Sequence, residues 1–138
     1  MHSKICLLEN QKGAAAVEFA LVVPVLLLIL FATIEYGWYL TNNMVLINAV
    51  ADGARAGVKA REWENEDPED FARKAVLNAM WLSKNAVSSH LEIEILDDAP
   101  PRRLSVKAID VPYSPLTGYL GEAMIPSVLA AKAVVAFP

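Results

Sequence analysis

The chain has 138 residues, enough for one domain or for one small domain and a membrane segment. Hydrophobic residues make up 55% of it and the net charge is −4, with no long basic run and no aromatic-plus-basic pattern of the kind that binds nucleic acid. Cys6 is the only cysteine, and His2 and His90 are the only histidines, which excludes an internal disulfide and gives no thiolate or imidazole metal site.

Most of the hydrophobic excess lies in one segment. Glu18 is the only charged residue between Ala14 and Ile34. An α-helix of that length spans about 31 Å, which matches the ~30 Å hydrocarbon core of a bilayer. We therefore predict a transmembrane helix over residues 14–35.

Basic residues flank this run on its N-terminal side only. Lys4 and Lys12 precede it, whereas the next basic residue after it is Arg55. This bias places residues 1–13 in the cytoplasm and sends the rest of the chain outward. The run is too long for a secretory signal peptide and lacks a small-residue cleavage site at its end. Aromatic residues suited to the outer interface follow it directly: Tyr36, Trp38 and Tyr39.

Glu18 needs a partner if the run crosses a membrane. An ionised carboxylate at mid-membrane costs roughly 2.5–3.5 kcal/mol, and less near an end. Cleavage between Gly13 and Ala14 would create an α-amino group that is largely cationic at neutral pH, and Glu18 would become the fifth residue of the shortened chain. In a helical assembly, the carboxylate of one subunit would then meet the amine of its neighbour.

The segment from Gly13 onward, GAAAVEFALVVPVLLL, resembles the N-terminus of TadE-like pseudopilins, which are minor pilins of the tight-adherence (type IVc) pilus and secretion system. The resemblance implies cleavage after Gly13 by a membrane-embedded prepilin peptidase, with Glu18 as the fifth-position glutamate and Phe19 as the aromatic that follows it. It also implies a place in the bacterial inner membrane among other pilin or pseudopilin subunits and the pilus assembly platform. A weaker likeness continues in EYG (35–37), ADGARAG (51–57) and YSPLTG (113–118).

Two features of the long helix concern packing. Pro24 lies inside the span, where it is either a tolerated membrane proline or a kink that lets subunits pack. The helix is predicted to continue over residues 36–61, with small residues at every fourth position: Ala49, Gly53 and Gly57. Because glycine costs a helix about 1 kcal/mol relative to alanine, these positions indicate either the close approach of another helix or a frayed second half.

Residues 62–138 are predicted to form a small exported domain, beginning with an acidic stretch (62–70) that is either a solvated loop or a contact for a cation or partner. Asp67 suits a helix N-cap and Pro68 the first helical position, which predicts a second helix that runs to about Lys84. The residues that we expect this helix to bury are Phe71, Ala75, Val76, Ala79, Met80 and Leu82.

The rest of the domain is predicted to form three strands. Leu91 to Ile95 alternates strictly, so that Glu92 and Glu94 face water. A second strand is predicted over 102–111 and a third over 128–137, joined by a short irregular or helical connection over 116–124. The inner set of the second strand is Leu104, Val106 and Ala108. The predicted fold class is α+β: a long hydrophobic helix and a small domain with one helix packed on a short antiparallel sheet.

The predicted function is structural: a minor pilin or pseudopilin that a peptidase shortens and that assembles through its N-terminal helix. No phosphate loop, catalytic group, cofactor motif or metal-ligand spacing is present, so neither an enzyme nor a small-molecule substrate is expected. The alternative is an uncleaved single-pass membrane protein whose outer domain binds a partner. The two differ in size, because only the first loses residues 1–13.

Overall fold

The N-terminal half of the chain is one long helix. The computed structural model describes residues 3–60, 66–81, 84–97, 100–120 and 124–137, with side-chain detail from residue 13 onward. Helix α1 (Ser3–Val58) has 56 residues and runs through Pro24. From Gly13 onward it is long and apolar enough to cross a membrane, its most apolar window has a mean hydropathy of 2.7, and none of that window is buried within the chain.

The remaining elements form a small α+β unit, as predicted. They are α2 (Pro68–Ala79), α3 (Lys84–Ser88), β1 (Leu91–Leu96), β2 (Arg103–Pro112) and β3 (Val128–Ala136). The strands form an antiparallel sheet in the order β1-β2-β3. The outer half of α1 lies against β2 and β3, and α2 lies against α1 and β1. The core between helices and sheet includes Leu46, Val50, Ala54, Val76, Leu104 and Val106.

Helix α2 begins as predicted and ends earlier. The Asp67 side chain accepts a hydrogen bond from the Glu69 N–H at 3.0 Å, and Pro68 occupies the first turn. The helix stops at Ala79 and not near Lys84, and α3 is a separate helix. Helices in proteins are stabilised mainly by the packing of an apolar face. Trp81 is 72% exposed, so a further turn of α2 would have little to pack against.

The buried face of α2 is also rotated relative to the prediction. Phe71 was expected inside, but it is exposed, and its neighbour Ala72 is fully buried in its place. The small side chain of Ala72 allows α2 to approach α1 closely, which the ring of Phe71 would prevent. Val76 and Met80 are buried as expected. Leu82 lies outside the described residues.

The strands follow the predicted alternation except at Ser105, which is also buried, and at one bulge. In β1, Leu91 and Ile93 are buried while the two glutamates between and after them are exposed. In β2 the predicted inner set is buried, but the next inward residue is Val111, because the register shifts between Ala108 and Val111. Asp110 takes up the extra residue with φ 56°, in the left-handed region that short polar side chains tolerate. The bulge keeps Val111 in the core immediately before the chain leaves the sheet.

Candidate functional site

The predicted processing and assembly residues lie on the exposed part of α1. Gly13, Ala14, Glu18 and Phe19 are all helical and exposed. Ala14 and Glu18 are one turn apart on the same face of the helix. Within the described part of the chain, Glu18 has neither a hydrogen bond nor an ion pair. Any partner that neutralises this carboxylate must therefore come from outside the described chain.

Gly53 and Gly57 lie where α2 and the sheet press against α1. A Cβ atom built on Gly53 would lie 2.3 Å from Val76 Cγ2, and one built on Gly57 would lie 2.8 Å from the carbonyl oxygen of Pro68. Both distances are shorter than real Cβ atoms show. The close approach at these glycines is thus made by this chain itself. Pro24, by contrast, is exposed.

The side chain of Glu35, which sequence reasoning did not single out as a site, accepts four hydrogen bonds. Glu35 is fully buried. Its Oε1 accepts hydrogen bonds from the Leu116 N–H at 2.7 Å and the Tyr113 hydroxyl at 3.2 Å. Its Oε2 accepts from the Thr117 N–H at 2.8 Å and from the Thr117 hydroxyl. We call residues 113–120, which follow β2, the Glu35 loop.

Aromatic side chains of α1 one turn beyond Glu35 also contact the Glu35 loop. The Trp38 indole N–H donates to the carbonyl oxygen of Ser114 at 3.4 Å. The rings of Tyr39 and Tyr113 meet edge to face, with their centroids 5.5 Å apart. Burial, together with the neighbouring Glu35 carboxylate, raises the pKa of Tyr113 to about 12, so that its hydroxyl stays a donor at any physiological pH. The loop is therefore held against successive turns of α1.

The partners of Glu35 were not predictable from local pattern. They lie 78 to 82 residues away along the chain, and two of the four donors belong to the backbone, which carries no residue signature. A carboxylate at the end of an apolar run also resembles an ordinary interfacial charge. The sequence contains one signal of this contact. EYG (35–37) and YSPLTG (113–118) both belong to the family resemblance, although neither segment was assigned a role there.

The arrangement around Glu35 is suited to holding structure rather than to chemistry. Both carboxylate oxygens are already saturated by donors from one segment, and the nearest hydroxyls are those of Tyr113 and Thr117, which are committed to Glu35. A cavity of about 220 Å³ lies beside it, lined mostly by apolar groups from Trp38, Leu46 and Leu129. Among the described residues, no group of three or more His, Cys, Asp or Glu side chains is placed to hold a metal ion.

Comparison with known proteins identifies the N-terminal part of the chain. Residues 13–55 match the family model described as TadE-like protein. No curated protein and no solved structure matches the chain significantly. The matched segment covers most of α1, including Glu18 and Glu35, but none of the Glu35 loop. Together with the apolar helix, the match indicates a single-pass membrane protein related to the tight-adherence pilus. The predicted resemblance to TadE-like proteins is therefore confirmed over residues 13–55.

Proposed function

We propose that the chain is a pilin-like structural subunit, a minor pilin or pseudopilin, of a type IVc (tight-adherence) pilus or secretion apparatus. A prepilin peptidase removes residues 1–13, residues 14–35 cross the bacterial inner membrane, and the rest of α1, which ends at Val58, extends outward to the domain at 62–138. The observation that carries this proposal is the exposed apolar run with Glu18 near its N-terminal end, inside the segment that matches TadE-like proteins.

Processing would create a positive charge to pair with Glu18, which has no ion pair among the described residues. Hydrolysis of the Gly13–Ala14 peptide bond leaves a carboxylate on Gly13 and an ammonium group on Ala14. Ala14 lies about 6 Å below Glu18 along the helix axis. A neighbouring helix displaced outward by about one turn would therefore bring its own ammonium group level with this carboxylate. Such a pair removes two charges that lipid would otherwise penalise.

The two halves of α1 differ in what they contact, and this difference supports assembly through the N-terminal half. The outer half of the helix contributes Leu46, Val50 and Ala54 to the core of the folded unit. The apolar run before it makes no core contacts, and most of its side chains are exposed, for example Phe19 at 70% and Leu21 at 71%. In the proposed mechanism this run is first a membrane anchor and then the surface by which subunits pack in the assembly.

A substitution at the cut site tests processing. Gly13→Phe is expected to yield only the full-length, membrane-inserted precursor, because a bulky ring in place of glycine obstructs both the local backbone opening and the fit to the peptidase. The length is read by intact mass after extraction from membranes that contain the active peptidase. Gly13→Ala, which adds a single methyl group, is the matched control and should retain some cleavage. Normal shortening of the Phe variant would show that the cut lies elsewhere.

Removal of the Glu18 carboxylate tests the pairing role. Glu18→Ala and Glu18→Gln are both expected to insert and to be shortened normally, yet to reduce by at least tenfold the subunit that crosslinks to other pilin subunits or reaches surface filaments. A tenfold loss corresponds to about 1.4 kcal/mol, which is modest for a charge pair in lipid. Glu92→Ala, on the exposed edge of β1, is the control. Unimpaired assembly of both Glu18 variants would exclude the pairing.

A further inference from the structure

The Glu35 loop reaches back along α1 into the part of the helix that would lie in lipid. Tyr119 stacks against Phe31, with their ring centroids 5.3 Å apart, one turn on the membrane side of Glu35. Ala14 and Phe31 are separated by about 26 Å of helix. With Ala14 at the inner edge of a ~30 Å hydrocarbon core, Phe31 therefore lies a few ångströms inside the outer edge. Tyr119 is thus at the depth of the outer interface.

The surface that the loop presents at this depth is apolar. The exposed fractions are 55% for Leu116, 58% for Tyr119 and 72% for Met124. Between residues 113 and 127 the one charged residue is Glu122, which lies outside the described residues. An open groove of about 660 Å³ runs between the loop region and the helix, and its lining includes Leu28, Ala32, Tyr36, Leu40, Leu120 and Met124.

Several polar groups of the loop backbone have partners within the chain. Others, such as the N–H groups of Ser114, Gly118 and Leu120, have none among the described residues and need the water of the interface. Irregular chain next to lipid is tolerated only when its polar groups find partners. Glu35 accepts from the N–H groups of Leu116 and Thr117, and the Thr117 hydroxyl accepts from the N–H of Tyr119 at 3.3 Å. Pro115 has no N–H to satisfy. The carbonyl oxygen of Ser114 accepts from Trp38.

From this geometry we infer that the Glu35 loop and Met124 form a second membrane contact, which inserts Leu116, Tyr119 and Met124 into the interface of the outer leaflet. Lipid, and not a second copy of the chain, is the occupant of the groove. One wall of the groove is the helix face at Leu28 and Ala32, which belongs to the span and is continuous with the surface that lipid already covers. The Glu35 carboxylate sets the height of the loop. This inference rests on α1 crossing a bilayer, not on cleavage or on assembly.

Depth measurement by spin labelling tests the membrane contact. The full chain carries Cys6→Ser and one of Tyr119→Cys, Met124→Cys, Leu27→Cys or Val134→Cys, and is reconstituted at low protein-to-lipid ratio in phosphatidylcholine vesicles. Val134 is the matched control: it is 42% exposed and pairs with Ser105, roughly 23 Å along β2 from Pro112. Leu27 reports the span itself. Collision rates with oxygen and with a water-soluble nickel chelate give the depth of each label.

We expect the labels at 119 and 124 to give an oxygen-to-nickel collision ratio between those at 27 and 134, and several-fold above that at 134. Nickel accessibility at 119 and 124 equal to that at 134 would overturn the membrane contact. So would shielding from both reagents with spin–spin broadening between copies, because a second chain would then fill the groove. A label at 27 that lies in water would remove the span and the contact together. None of these outcomes depends on a peptidase, so failure of processing is distinguished from failure of the contact.

Discussion

Glu35→Ala is expected to release the Glu35 loop and to lower the free energy of unfolding by about 2–4 kcal/mol. The variant removes the acceptor for four hydrogen bonds and leaves a void in a fully buried position. The loss of stability is limited, because the N–H groups of the loop can bind water once the loop detaches from α1. The expected signature is faster amide hydrogen exchange in a peptide covering residues 113–120, together with a lower urea midpoint for the full chain in detergent micelles.

Two variants separate the buried carboxylate from general charge effects. Glu35→Gln keeps the size and one carbonyl acceptor, but its NH₂ group faces N–H and O–H donors of the loop, so an intermediate loss is expected. Glu94→Ala removes an exposed carboxylate that pairs with Lys107 at 3.1 Å, and such surface pairs contribute about 0–1 kcal/mol. Unchanged exchange at 113–120 in Glu35→Ala would show that the aromatic contacts hold the loop without the carboxylate.

Gly57→Ala and Gly37→Ala are expected to change stability in opposite directions. Both lie within α1, so both gain about 1 kcal/mol of helix propensity at most. At Gly57 the new methyl group would lie 2.8 Å from the Pro68 carbonyl oxygen and 3.0 Å from Ala72 Cβ, whereas at Gly37 it meets nothing within 4 Å. Overpacking of this kind costs about 1–3 kcal/mol. The nearest atom to the new methyl group at Gly57 is Leu104 Cδ2 of β2, at 2.3 Å. The difference between the two variants therefore reports the packing of both α2 and β2 against α1.

The pair is compared by urea unfolding of the full chain in detergent micelles, followed by far-UV circular dichroism. We expect Gly57→Ala to unfold at a lower urea concentration than the native chain, and Gly37→Ala to unfold at the same or a higher concentration. Equal midpoints for the two variants would mean that α2 and Leu104 do not pack against Gly57 in solution as closely as they do in the structure.

The parts of the fold that were predictable from the sequence are those with a short-range physical signature. The apolar run gave the long helix, Asp67 and Pro68 gave the start of α2, and the alternation at Leu91–Leu96 gave β1 with its two faces. Each of these follows from the residues within one element. The TadE-like resemblance was likewise carried by a contiguous segment, and it is confirmed over a contiguous segment.

The features that escaped prediction depend on contacts between distant elements. Phe71 is apolar enough for the core. Because α2 packs closely against the glycines of α1, however, the smaller Ala72 takes the buried position. The bulge at Asp110 has no strong local marker. Glu35 is bound by a loop 78 to 82 residues away, so its role depends on the position of β2, which places that loop beside α1. Helix and strand patterns report which face is buried more reliably than they report what covers it.

The most direct test of the proposed function is the N-terminal residue of the native chain recovered from membranes that contain an active prepilin peptidase. We expect Ala14, with residues 1–13 absent and the Glu18 carboxylate five residues into the mature polypeptide. Recovery of the chain with Met1 still at its start would contradict the proposed processing, and it would leave the uncleaved single-pass protein with an outer partner-binding domain as the better description.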